Sequence, residues 1–203
     1  MKKLFLILLM ALMLCVATTT NAQQEGDNDV APQRIQYALD NNLTTLGLFG
    51  FNLTEIPPEI GQLTNLTELY LSNNALSSLP DEIGQLTNLQ MLDLEDNNFT
   101  DFPLAILEME SLQILRLSNN TLTSLPTGMG RLSNLQLLSL DNNALGTFPV
   151  ALSELPSLQG LYMAFNGLTE IAPEIGELTS LTDLGLAYND LRTLPSEIGQ
   201  LSN

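Results

Sequence analysis

Leucines recur along this chain at two nested spacings. Leu66, Leu69 and Leu71, and again Leu89, Leu92 and Leu94, set apolar side chains on one side of a short extended segment, which predicts a strand with one buried face. The same set returns every 23 residues, led by Leu43, Leu66, Leu89, Leu112, Leu135, Leu158 and Leu181. A unit L-x-x-L-x-L-x-x-N-x-L-x-x-L-P-x-x-I-G-x-L-x-x therefore fills 43–203 seven times, 161 of 203 residues. No unit of this size encloses its own leucines, so each strand must lie parallel beside the next and burial is shared between neighbours.

After the strand comes Asn74, Asn97, Asn120, Asn143, Asn166 or Asn189. Asparagine tolerates unusual backbone angles, and its amide can satisfy buried main-chain groups. Phe51 takes that place in the first unit. The second half of the unit carries proline where a helical turn would begin (Pro80, Pro126, Pro195) and glycine where it would stop (Gly84, Gly130, Gly199), which predicts a short helix or 3₁₀ turn. Repeats three and five depart together: Phe102 and Phe148 precede the proline, and Leu107 and Ser153 replace the glycine.

With these residues in place, the chain resembles a leucine-rich repeat protein, of the class with L-P-x-x-I-G in its convex segment. That class is similar to bacterial and plant repeat proteins and to the Ras-scaffold-like repeats of animals. The resemblance implies an α/β solenoid, a horseshoe of seven repeats with a parallel concave sheet and short helical or 3₁₀ convex segments, and with Asn74, Asn97, Asn120, Asn143, Asn166 and Asn189 as an internal asparagine ladder. It also implies protein binding as the commonest role.

Ahead of the repeats, Lys2 and Lys3 precede an apolar run from Leu4 to Ala17, and a polar stretch ends in Thr20-Asn21-Ala22. That is the layout of a secretory signal peptide over 1–22; fourteen apolar residues are short for a bilayer span. Residues 23–31 read as a flexible linker. From Pro32, the spacing of Ile35, Ala38 and Leu39 predicts a helical cap, 32–42, shielding the first repeat. At the other end Leu184, Leu186, Leu191 and Leu194 follow the last leading leucine with no altered unit behind them, an edge through which the chain could self-associate.

Charge narrows the partners. The chain holds 23 acidic residues against six basic ones, a formal charge of −17; without 1–22, four arginines remain and the charge is −19. Nucleic acids and anionic membranes need a basic footprint, so neither is an expected partner, and a protein or peptide with a basic surface fits better. The chain has no histidine, and its one cysteine, Cys15, falls in the signal region. This removes the usual general base, thiol nucleophile and soft-metal ligands. Asp93, Glu95 and Asp96 lack the spaced loop of a calcium site. No catalytic residue, metal or cofactor is expected.

Alternation along each strand places the candidate site. The third, fifth and seventh residues of a unit point away from the leucine core. Met91, Ile114 and Leu137 then form one outward row, flanked by Tyr70 and Tyr162, with Asp93, Glu95, Asp96 and Asp141 as an acidic rim and Arg116 between them. Phe165 and Tyr188 follow at the eighth position. An apolar centre inside a polar rim is the anatomy of a protein-binding patch. The reading is a secreted or surface-exposed recognition module; a structural or self-assembling element, or a fragment of a larger surface protein, is the alternative.

Overall fold

The computed structural model describes residues 30–203. The expected signal peptide, 1–22, and linker residues 23–29 lie outside the described residues.

The described chain opens with helix α1, Val30–Asp40, whose buried residues Ala31, Ile35 and Ala38 share one face. Val30 and Ala31, assigned to the linker from the sequence, belong to this helix, because Ala31 is buried on the same stripe as Ile35. Arg34 ties α1 to the first repeat: Nη1 donates to the Gly47 carbonyl at 3.0 Å, and the guanidinium lies 4.5 Å from the centre of the Phe51 ring.

Seven short strands follow: β1 Thr45–Gly47, β2 Glu68–Tyr70, β3 Met91–Asp93, β4 Ile114–Arg116, β5 Leu137–Ser139, β6 Gly160–Tyr162 and β7 Asp183–Gly185. They form one parallel sheet in chain order. Each pairs with the next at an offset of one unit, Leu92 opposite Leu115 and Leu115 opposite Leu138. Those central leucines are fully buried with Leu94, Leu117 and Leu140, so the core is one column of leucines running under the sheet. Nothing within a single repeat could bury them. Among the described residues, no helix is long and apolar enough to cross a membrane.

Opposite the sheet, each repeat makes a 3₁₀ turn, from Pro58–Gln62 to Ser196–Gln200. Proline or an alanine before proline stands ahead of most of these turns in an extended conformation, as Pro80 does at φ −67°, ψ 147°. The turn closes through three-residue bonds, Ile83 N–H to Pro80 O and Leu86 N–H to Ile83 O.

The glycines that follow play a different part from the stop expected of them. Gly84 lies inside the turn Asp81–Gln85 rather than after it. A Cβ at Gly61 would stand 2.6 Å from the Glu82 carbonyl oxygen, and one at Gly84 3.0 Å from that of Ala105. Glycine is therefore required by the close approach of the next repeat's backbone. Repeat three has Leu107 there, and the repeat that follows has only the three-residue turn Met129–Arg131, preceded by Gly128 at φ 88°; Leu107 is 8% exposed.

Toward the C-terminal side burial weakens. Leu184, Leu186 and Leu191 are partly buried, and Leu194 is 54% exposed.

Candidate recognition surface

Met91, Ile114 and Leu137 are register partners on three adjacent strands, β3, β4 and β5. Each is half-buried, so the row lines a sheet face that is neither core nor free surface. Beyond it on one side lie Glu68 and Tyr70 of β2, and on the other Gly160 and Tyr162 of β6.

The polar residues on this face are mutually tuned. Tyr70 donates its hydroxyl to Glu68 Oε2 at 3.1 Å. Burial, then the Glu68 charge, push its pKa up to about 12. Asp93 was placed with the rim from sequence, but it is 6% exposed and spends Oδ1 on the Glu95 N–H at 3.1 Å. The Glu95 carboxyl is raised, first by its own burial and then by the Asp93 charge, with Arg116 pulling the other way. Arg116 forms no ion pair with any described carboxylate. Asp96 is exposed, and Asp141 accepts the Ala164 N–H at 2.7 Å through Oδ1. Ser118 and Ser139 share a buried hydroxyl–hydroxyl hydrogen bond. An acidic border thus runs beside the row, with one cation inside it.

Past β5 the face changes character. Gly160 and Gly185 flank Tyr162 on neighbouring strand positions, and a Cβ at Gly185 would stand 3.0 Å from Tyr162 Cδ1; the ring therefore lies down across the sheet. Ala164 and Ala187 keep the next position small. Phe165 and Tyr188 then rise at the rim, 52% and 75% exposed. Their rings stack with centroids 4.2 Å apart and 9° between planes.

Sequence reasoning placed these two aromatics but missed their backbone. Every eighth position is left-handed: Gly50, Asn73, Asp96, Asn119 and Asn142 at φ between 53° and 73°, and also Phe165 at 54° and Tyr188 at 55°. Glycine, asparagine and aspartate adopt that conformation readily, bulky residues do not. The signal was present in the run of Gly, Asn and Asp at the other five repeats.

Behind the face, the asparagines hold the repeats together. Asn120 Nδ2 donates to the carbonyls of Leu94 and Leu117 at 3.0 and 3.1 Å, and Oδ1 accepts the Phe99 N–H at 3.0 Å. Asn74, Asn97, Asn143 and Asn189 repeat the pattern. Asn166 differs, because its buried Oδ1 has no donor among the described residues. In the preceding repeat Gly146, at φ 67°, sits in a tight turn in which Thr147 N–H bonds Leu145 O, and Gly146 N–H goes to Asn166 O.

These features agree with the comparisons. The profile described as a leucine-rich repeat region matches residues 58–170, more than half of the chain, and the chain belongs to the leucine-rich repeat family. A leucine-rich repeat protein of Leptospira interrogans is similar at 45% identity and TM-score 0.76, over 78% of this chain and 41% of that one. The plant peptide hormone receptor RGFR1, solved in complex with RGF2, is similar at 36% identity and TM-score 0.63, over 72% of this chain and 24% of that one. PEPR1–AtPEP1 gives 32% and 0.59, over 68% and 20%. The chain thus spans less than half the length of each of these three. No curated relative matches the sequence.

Proposed function

We propose that this protein is an exported, non-catalytic recognition module that binds a protein or peptide on its sheet face. The observation that carries the reading is the registered row Met91, Ile114 and Leu137, half-buried and bordered by Glu95, Asp96 and Asp141. An apolar centre drives association by removing water from hydrocarbon. An acidic border selects among partners by charge and speeds their arrival. The plant receptor in the comparison is a peptide hormone receptor solved with RGF2, which is consistent with a peptide or protein occupant here. Seven strands at about 4.8 Å span roughly 29 Å, enough for an extended peptide or one face of a small domain.

Export rests on Lys2, Lys3 and the apolar run to Ala17. N-terminal sequencing of protein recovered outside the cytoplasm tests it, with Gln23 expected first.

The binding test uses protein beginning at Gln23, offered to extracts of the cell surface and surroundings, beside an Ile114→Glu, Leu137→Glu double variant. A protein held by the parent and released by the variant supports the reading. A protein held equally by both removes the row from the interface. Capture lost from both on raising the salt would instead assign binding to the acidic border alone.

A further inference from the structure

Phe165 carries a second, chemically distinct feature at the rim of the same face. One side of its ring is covered by Tyr188 at 4.2 Å. One repeat back, Asp141 and Asn142 take the positions next to Ala164 and Phe165, with the Asn142 N–H donating to the Ala164 carbonyl at 2.8 Å. Asn142 turns its Nδ2 away, donating to Asn119 Oδ1 at 2.9 Å, which leaves its Oδ1 without a donor among the described residues. Asp141 uses Oδ1 on the Ala164 N–H, one residue before Phe165, and its Oδ2 is likewise unused. An exposed aromatic ring therefore lies one repeat from a carboxylate oxygen and an amide oxygen that both lack donors among the described residues.

That set of groups selects a flat cation. Aromatic rings attract cations through their negative faces. A guanidinium also stacks as a plane and offers five N–H donors to oxygens at its edge. Phosphate and other anions are repelled by Asp141 and by a chain of net charge −17. The backbone supports the choice of ring: two bulky residues occupy a left-handed position that five other repeats give to Gly, Asn or Asp, and strain of this kind gathers at binding sites.

We infer that Phe165, Asp141 and Asn142 form a subsite for an arginine side chain of the protein partner, with Tyr188 bracing the Phe165 ring from behind. This rests on the sheet face being the recognition surface, and it names the chemistry the partner must bring there.

The test uses single amino-acid probes, so it does not depend on the Met91 row or on having the partner. N-acetyl-arginine amide is titrated into the protein at fixed ionic strength while the ring protons of Phe165 and Tyr188 are followed by NMR. N-acetyl-citrulline amide, the same shape without charge, is the control. Saturable shifts at Phe165 with arginine, at least tenfold weaker with citrulline, are expected. Asp141→Asn, which keeps the Oδ1 acceptor for Ala164, and Phe165→Asn, which restores the residue type of other repeats, should each abolish saturation. Equal binding of citrulline, an unchanged response in either variant, or no shift at Phe165 would overturn the subsite. A neutral pyranoside saturating the same ring where arginine does not would assign it to carbohydrate instead.

Discussion

Asn120 reaches back 21 residues to accept the Phe99 N–H at 3.0 Å through Oδ1, while Asn166, at the same place two repeats on, has a buried Oδ1 with no donor among the described residues. The two positions therefore contribute unequally to holding neighbouring repeats. Asn120→Ala strands a buried N–H, which costs about 1–3 kcal/mol, whereas Asn166→Ala strands no such donor. Both variants lose amide donors to carbonyls. Urea denaturation should find Asn166→Ala the milder by about 1 kcal/mol, and equal losses would mean that Oδ1 contributes nothing at Asn120.

Glycine at the fourth place of the convex turn is predicted to matter only where another repeat lies against it. A Cβ at Gly61 meets the Glu82 carbonyl oxygen at 2.6 Å, but at Gly199 nothing lies within 4 Å. Gly61→Ala must push backbone aside, at a cost of about 1–3 kcal/mol. Measured on the 203-residue chain, Gly199→Ala should leave the thermal midpoint close to that of the parent, within about 0.5 kcal/mol of stability. Matching losses in the two variants would place the effect in glycine's backbone freedom rather than in the contact.

Those glycines mark where sequence reading stops. The strands were legible because Leu69, Leu92, Leu115 and Leu138 repeat at fixed spacing, and the period dictates how units pair. Gly84 was misread as a stop signal because its neighbour is Ala105 of the next repeat, a contact that no pattern inside one unit displays. Asp93 was read as rim for a different reason. Alternation gives the direction of its side chain, but its 6% exposure and its bond to the Glu95 N–H arise from how the strand end turns. The orphaned Asn166 Oδ1 depends on the backbone at Gly146, a residue that looks like an ordinary loop glycine.

Stability and recognition should pull in opposite directions at the rim. Phe165 and Tyr188 hold φ 54° and 55°, and a bulky residue in that region costs roughly 1–2 kcal/mol. Their stacked rings return about 0.5–1.5 kcal/mol as a pair. Converting both to Asn relieves two strained positions for one lost stack, so stability in urea should rise by about 1 kcal/mol. A loss of stability in the double variant would mean that the rings are held for packing, which would also weaken the case for a binding role.

Glu95 supplies a pH signature. Its carboxyl is raised above the usual 4.5, first by burial and then by Asp93. The folded state therefore holds this proton more tightly than the unfolded state does, and stability falls as pH climbs from 4.5 through the folded value. The stabilisation tied to the proton is fully present only below 4.5. Glu95→Gln cannot ionise, so at pH 7 it should be more stable than the parent, with the gap closing as pH drops below 4.5. A basic partner reverses the balance, because a cation over the Asp93–Glu95 border favours the charged form. Partner binding should then tighten as pH rises through this range and release fewer protons with Glu95→Gln. Calorimetry in buffers of different ionisation heat measures that proton exchange, and an exchange unchanged by the substitution would remove Glu95 from the contact.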